Sequence, residues 1–271
     1  MDWAAGPLIE ASDALFLALN GLSGRSWLLD TLVSLAIDNS LVKAAPVAAA
    51  FVFAWHAGPD PARHRARRVL IATVAALVLV LGVTKTLADS IFLPRPFVLA
   101  EQTYHVEDGR LAETERLAFR QPQAGFSHGR QERLREGEID SNDLNSFPSD
   151  HAAFYFALAL GIFLASRRAG TFALAWVVVV ICGSRIVTGA HSPLDVACGI
   201  GIGGAILIAV QLLASRWASR PFDFAASWTV RRPALAAALL FLILFEAAGT
   251  LENTRDLLRT GKQVAARSLG A

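Results

Sequence analysis

What most constrains this chain is a series of long apolar runs separated by short, arginine-rich breaks. Leu41–Trp55, Val69–Thr84, Pro148–Ala165, Thr171–Gly183, Leu194–Ala214 and Ala234–Gly249 are nearly free of charge. Their few charges lie near run ends: Lys43 in the first, Asp150 in the third, Asp195 in the fifth and Glu246 in the last. Apolar character also resumes around Lys85 as far as Phe92. A bilayer core takes roughly 20 mostly apolar residues per helix. The pattern predicts an all-α, polytopic membrane bundle of about six transmembrane helices. Composition agrees, with 54% hydrophobic and 18% charged residues against about a quarter charged in soluble domains. High hydropathy with a net charge of +2 excludes a disordered chain. Cys182 and Cys198 both lie in apolar runs, which excludes a disulfide scaffold and makes them small apolar fillers.

The whole of 1–271 reads as one membrane domain. Within 1–39, Asp13–Gly21 and Trp27–Ile37 are short and interrupted by polar residues, as interfacial or re-entrant helices are, and the first also fits part of a seventh span. Asp2 and Glu10 without a basic n-region argue against a cleavable signal peptide. Arg63, Arg65, Arg67 and Arg68, then Arg167 and Arg168, then Arg216, Arg220, Arg231 and Arg232 fall in three breaks that belong on the cytoplasmic side. The polar insertion 99–145 and the turn around His191 then face the opposite side. The tail of the 233–271 segment, with Arg255, Arg259, Lys262 and Arg267, runs against that rule. Charge patterning suggests short solvated helices at Ala112–Arg120 and Arg130–Glu138. A lid over a site and a simple polar insertion both fit a loop of this length.

Three groups of polar residues fall at the same membrane face. They are Lys85 with Leu93-Pro94-Arg95-Pro96-Phe97, Ser146-Phe147-Pro148-Ser149-Asp150-His151, and Ser184-Arg185 followed by His191 and Asp195. Ionisable residues at membrane depth are costly and tend to be functional. Arginine forks bind phosphate oxygens bidentately, and a helix start beside Ser149 offers free N–H groups and a positive dipole end. If the fifth span begins by Ser192-Pro193, Asp195 lies in its first turn and reaches back to His191, fixing one ring nitrogen and leaving the other to attack. Each group has a plainer reading alone: Arg-Pro as a loop feature, Ser149 as an N-cap, His-x-x-x-Asp as a structural hydrogen bond or part of a metal site. Their joint occurrence at one face points to a phosphate site. Gly199-Ile200-Gly201-Ile202-Gly203-Gly204 lies inside an apolar run and fits close helix packing, not dinucleotide binding. His56 and His64 flank the first cytoplasmic break, and Glu246 fits an interfacial position.

Arg95-Pro96, Pro148-Ser149-Asp150-His151 and Ser184-Arg185…His191…Asp195 resemble the three-part signature of the type 2 phosphatidic acid phosphatase superfamily, over roughly Lys85 to Gly204. Pro94-Arg95-Pro96-Phe97-Val98 and Ser146-Phe147-Pro148-Ser149-Asp150-His151-Ala152 look most like bacterial undecaprenyl-diphosphatases of the BcrC type. The resemblance implies His191 as nucleophile forming a phosphohistidine, Asp195 orienting it, and His151 as general acid and then base. It implies Arg95, Arg185, Ser149 and a backbone N–H near Asp150 as phosphate holders, with no metal and no cofactor. Two departures stand out. The family's lysine ahead of Arg-Pro is here Ala88, and Lys85, about one turn earlier, either replaces it or snorkels and pairs with Asp89. Asp150 stands where many members have glycine.

The implied activity is hydrolysis of a lipid phosphate or diphosphate, undecaprenyl diphosphate above others, at the extracytoplasmic face of a bacterial inner membrane. Alternatives are a phosphatidic acid, phosphatidylglycerophosphate or lipid A phosphatase, a lipid phosphotransferase, or a non-catalytic transporter or binding protein on the same fold. The expected partners are the bilayer and a lipid phosphate, not nucleic acid; no motif speaks to oligomeric state.

Overall fold

The computed structural model describes residues 6–100, 104–107, 110–113, 117–123, 133, 136–137 and 144–248. Ten helices carry the described chain: α1 (Gly6–Asn20), α2 (Trp27–Asp38), α3 (Ser40–His56), α4 (Asp60–Ser90), α5 (Pro96–Leu99), α6 (Asp150–Ala165), α7 (Arg167–Val187), α8 (Pro193–Arg216), α9 (Ser219–Arg231) and α10 (Pro233–Ala248). The fold is the expected all-α membrane bundle. Asp60–Ser90, Arg167–Val187 and Pro193–Arg216 are each long and apolar enough to cross a bilayer. The pairs α2–α3, bent by 63°, and α9–α10, bent by 114°, qualify only when each is taken together, and α6 is a shorter apolar helix.

Local sequence explains the breaks. Asn39 interrupts α2–α3, and its side-chain oxygen caps α3 by accepting from the Leu41 and Val42 N–H groups. Pro59-Asp60-Pro61 starts α4, where proline tolerates the first turn. α4 runs for 31 residues, about 46 Å at 1.5 Å per residue, so its N-terminal part reaches past a hydrocarbon core of about 30 Å. The arginines 63–68 thus belong to the helix and not to a loop: hydropathy marks the span, whereas arginine is a good helix former and lets the helix continue. α7 carries a π-helical stretch at Val177–Cys182.

α6 is the central helix. Phe154, Tyr155, Leu158 and Ile162 are buried on it, and it packs against α4, α7 and α8. The close approach of α8 depends on small residues. A Cβ on Gly199 would collide with the Ser149 carbonyl oxygen, and one on Gly203 with the Ala153 carbonyl oxygen. The glycine-rich run is therefore a packing surface, as its apolar setting indicated. Cys182 and Cys198 are free thiols within this packing. At the arginine-rich end, His64 Nε2 lies 3.1 Å from Ser227 Oγ, tying α4 to α9.

Part of the polar insertion is fastened to the N-terminal helices. The Asn20 side chain donates to the Arg120 and Val187 carbonyls, both at 2.9 Å, and accepts from the Arg120 N–H at 2.7 Å. Asp30 accepts from the Gly24 and Gln123 N–H groups. Phe119 stacks on Phe16 at 6.5 Å and covers Gly189, whose positive φ of 70° no bulkier residue would adopt easily. The helix expected at Ala112–Arg120 does not form. Tyr104–Glu107 and Arg110–Glu113 pair as a two-stranded antiparallel ribbon, and 117–120 carries no regular element. Alternating charge without apolar periodicity was a weak helix signal. His128, most of Arg130–Glu138 and the chain beyond 248 lie outside the described residues.

Candidate active site

The three polar groups meet at the end of the bundle opposite the arginine-rich breaks. The link after α4 and the link before α6 form a short antiparallel bridge between Pro94 and Asn145. The Arg95 N–H donates to the Leu144 carbonyl at 3.0 Å, and the Ser146 N–H to the Leu93 carbonyl at 2.8 Å. Asn145 locks this junction. Its amide donates to the Ala88 and Ile91 carbonyls at 2.7 and 2.9 Å, while its oxygen accepts from the Leu93 and Phe147 N–H groups. The third group joins through Phe97 N–H to Gly189 O, Ser149 N–H to Asp195 O, and Arg95 Nη1 to Ala190 O at 2.9 Å.

His191 lies in the link between α7 and α8 and is 3% exposed. Its Nδ1 is 2.8 Å from the Ser146 carbonyl oxygen. A carbonyl only accepts, so Nδ1 carries the proton and Nε2 presents a lone pair. Here the structure corrects an expectation. Asp195 does not hydrogen-bond His191; among the described residues its Oδ2 accepts from the Ser192 N–H at 2.7 Å, while Ser192 Oγ accepts from the Asp195 N–H. This reciprocal capping box starts α8. The physical reason is position: His191 precedes the N-cap, so the four-residue helical spacing does not bring the two side chains together. The Ser146 carbonyl holds the tautomer instead.

His151 opens α6. Its Nδ1 lies 2.7 Å from Asp150 Oδ1, and its ring stacks on Tyr155 at 6.3 Å. The Asp150 carboxylate thus engages a histidine ring, whereas the phosphate-holding expectation at this position concerns the backbone N–H. Ser149 is fully buried and is the N-cap of α6, accepting from the Ala152 N–H at 3.4 Å; its hydroxyl proton stays available to a further acceptor. Arg185, 6% exposed in the last turn of α7, lies within electrostatic reach of Asp150 and Arg95.

Lys85 is not brought to this cluster. Its side chain is 64% exposed and its Nζ is 2.6 Å from Asp89 Oδ1, the i,i+4 pairing. Sequence reasoning also missed Asn145, the Ser146 carbonyl and Tyr155, none of which belongs to a periodic or charged pattern.

The electrostatics favour a neutral His191. Burial first, then the charges of Arg95 and Arg185, hold its pKa well below the ordinary histidine value, against the opposite pull of Asp150. The result is a buried, neutral imidazole with a free Nε2 beside two guanidinium groups. Such a constellation suits attack on an anionic phosphoryl group, because positioning and charge neutralisation dominate that reaction.

Comparison with known proteins identifies the family. The model of the PAP2 superfamily matches residues 65–219, more than half of the chain. Phosphatidylglycerophosphatase B of Escherichia coli K12 is 33% identical over 175 residues, covering 61% of this chain and 68% of its own length. The protein of the same name from Shigella flexneri matches to the same extent. Bacitracin transport permease protein BcrC of Bacillus licheniformis is 42% identical over 73 residues, 26% of this chain and 32% of its own. No solved structure matches. With the matched stretch spanning every residue of the buried cluster, the chain belongs to the PAP2 superfamily and is a membrane phosphatase.

Proposed function

We propose that this phosphatase hydrolyses a lipid phosphate or diphosphate, preferentially undecaprenyl diphosphate to the monophosphate, through a phosphohistidine on His191. The observation that carries the reading is the 2.8 Å contact between His191 Nδ1 and Ser146 O, which leaves Nε2 as the free nucleophile. Nε2 attacks phosphorus while Arg95, Arg185, Ser149 Oγ and the N–H groups at the start of α6 hold the phosphoryl oxygens. The leaving oxygen departs on the far side, where His151 donates its proton. His151, held by Asp150, then takes a proton from the water that cleaves the N–P bond. Asp195 serves by fixing the helix start behind His191. The two guanidinium groups supply the charge neutralisation, so a metal has no assigned step. The site faces the extracytoplasmic side of a bacterial inner membrane, because the arginine-rich breaks lie at the other end of the bundle.

A second substrate reading has its own support. The relative with the longer match bears the name phosphatidylglycerophosphatase, which favours phosphatidylglycerophosphate as an alternative lipid. The test is phosphate release by detergent-purified protein from undecaprenyl diphosphate, phosphatidylglycerophosphate and phosphatidic acid, with chelator present. Wild type is expected to act, His191→Ala to be inactive, and Lys85→Ala, exposed and paired with Asp89, to keep the wild-type rate. Equal release by His191→Ala, or loss of activity on chelation, overturns the mechanism.

A further inference from the structure

We propose that the arginine-rich end of the bundle holds an anionic phospholipid, with its phosphodiester on Arg67 and an acyl chain laid between α3 and α10. Two cavities adjoin there, both lined by Arg67, Thr229 and Pro233. One, of about 300 Å³, runs between α3 and α10, and Val52, Trp55, Ala237, Leu240 and Leu244 give it an apolar wall. The other, of about 470 Å³, is polar and is lined by Asp60, Arg63 and His64. The sequence of α10 shapes the apolar slot. Ala237 puts a small side chain near the start of the helix, and Leu240 and Leu244 follow at helical spacing on the same face. From Pro233 to Leu244 the helix rises about 16 Å at 1.5 Å per residue. The slot is therefore elongated, as an extended apolar chain requires.

Charge decides the headgroup. Arg67 and Arg68 are the last charges before the uncharged stretch Val69–Thr84, which sets them at headgroup depth. Arg68 is paired with Asp223 at 3.3 Å, and Arg63 with Asp60 at 3.1 Å. Arg67 differs: among the described residues all its hydrogen-bond partners are neutral. Its Nε donates to the Trp55 carbonyl and its Nη1 to Thr229 Oγ1, both at 3.3 Å, and the guanidinium carbon lies 5.4 Å from the Trp55 ring centroid. Thr229 Oγ1 gives its own proton to the Ala226 carbonyl at 2.7 Å, so it meets Arg67 as an acceptor. These contacts fix the guanidinium and leave Nη2 for an acceptor from outside. Asp60 also lines the polar cavity, but with Arg63 and Arg67 beside it the mouth keeps a net positive charge. A half-buried, pre-positioned arginine without a carboxylate thus stands at the mouth of an apolar slot. A membrane phospholipid of negative charge satisfies both features. Its phosphate oxygens supply the counter-charge, and its chain fills the slot. The bilayer presents such molecules at this depth. The site lies at the opposite end of the bundle from His191, so it does not depend on the substrate proposed above. A lipid seated there joins α4, α9 and α10 to α3 and stabilises the bundle.

The test uses the full chain, purified in detergent and stripped of lipid, with orthovanadate present to occupy the site around His191. Dioleoyl phosphatidylglycerol and dioleoyl phosphatidylcholine, alike in chains and unlike in charge, are the probes. Native mass spectrometry counts the retained lipid, and the unfolding temperature is read on the same samples. Wild type is expected to bind phosphatidylglycerol about tenfold more tightly than phosphatidylcholine, the scale of one charge-assisted contact. Arg67→Gln should lose that preference, and Arg67→Lys should keep part of it as a point charge. Ala237→Phe fills the slot without touching the hydrogen bonds of Arg67, and should weaken both lipids by about tenfold or more. Glycerol 3-phosphate, a head without chains, should neither bind at the lipid concentrations used nor raise the unfolding temperature. Phosphate release by Arg67→Gln near the wild-type rate shows that variant to be folded; if it does not fold, Arg67→Lys and Ala237→Phe decide the matter. Equal binding of the two lipids by wild type, a preference that survives Arg67→Gln, or undiminished binding by Ala237→Phe overturns the proposal. Glycerol 3-phosphate binding as tightly as the lipid marks a site for free phosphate esters and overturns it equally.

Discussion

The Nδ1 atom of His191 lies 2.8 Å from the main-chain oxygen of Ser146, 45 residues earlier in the chain. This one contact ties the start of α8 to the start of α6 and fixes the proton on Nδ1. In the mechanism proposed above, the charge state of His191 then sets activity, since protonating Nε2 removes the nucleophile.

Burial and the two arginine charges hold His191 well below the ordinary histidine pKa. The acid limb of the kcat/KM profile should therefore lie below about pH 6.5, the unperturbed value. In Arg95→Gln one of the opposing charges is gone, so the limb should move to higher pH, beside an overall loss of rate. Comparing the two enzymes on one substrate cancels the ionisation of the substrate itself. The stability consequence has a definite sign. Below about pH 6.5 the unfolded chain binds a proton at this residue that the native chain does not. Stability is thus lost as pH falls from there toward the folded pKa. Thermal unfolding in detergent should show a smaller acid-side drop in His191→Gln. An acid limb that does not move in Arg95→Gln contradicts the assignment.

Asp150 Oδ1 sits 2.7 Å from His151 Nδ1, which leaves Nε2 as the nitrogen for the acid role proposed for His151. As a positioning residue for the general acid, Asp150 should matter most when the leaving group needs a proton. Asp150→Asn should lower kcat on a lipid phosphate by about tenfold or more, a fraction of the 10²–10⁴ that general acid catalysis supplies. KM should hold or fall, because a negative charge near the phosphate has been removed. With p-nitrophenyl phosphate, whose phenolate departs unprotonated, the same variant should approach the wild-type rate. An equal loss on both substrates would assign Asp150 a structural role alone.

The sequence made the bundle and the meeting of the polar groups legible for one reason. Apolar runs and arginine-rich breaks fix which helix ends share a face, and Arg95, His151 and Arg185 all sit at such ends. Contacts inside the cluster were less accessible. The Asp195 capping box was written in Ser192-Pro193-Leu194-Asp195, yet the histidine just ahead invited a catalytic pairing. The i,i+4 spacing of Lys85 and Asp89 equally contained the ion pair that takes Lys85 out of the site. Nothing local marks the Ser146 carbonyl as the partner of a ring 45 residues away, since backbone acceptors leave no trace in residue identity. Lys43 reads as one charge near the end of an apolar run; only the direction of the α3 face, set by packing, turns it inward.

Asn145 makes four hydrogen bonds, three of which join the end of α4 and the link after it to the approach to α6. Each bond contributes about 1 kcal/mol net, and an unsatisfied partner costs more where it is buried. Asn145→Ala should therefore destabilise the protein by about 2–4 kcal/mol. It should also cost activity out of proportion, because Arg95 is placed by the same junction. Asn145→Asp keeps the oxygen that accepts from Leu93 and Phe147 but sets a second acceptor against the Ala88 and Ile91 carbonyls, so it should destabilise at least as much as Asn145→Ala. Unfolding temperature and phosphate release, measured on the same preparations, check both. A fully stable Asn145→Ala would remove the residue from the account.

Gly203 and Gly201 lie on the same helix and differ only in what they face. A Cβ on Gly203 would meet the Ala153 main chain, whereas one on Gly201 meets nothing within 4 Å. Gly201→Ala should be neutral or slightly stabilising, since alanine is the better helix former. Gly203→Ala should force α8 away from α6 and cost about 1–3 kcal/mol, as overpacking does. The effect should reach the site, because Gly199 on the same face packs against the Ser149 carbonyl, and Ser149 N–H in turn bonds Asp195 O. The expected signature is a lowered unfolding temperature with weakened vanadate inhibition in Gly203→Ala and neither in Gly201→Ala. Equal behaviour of the two variants would show that α8 can shift without disturbing the residues it holds.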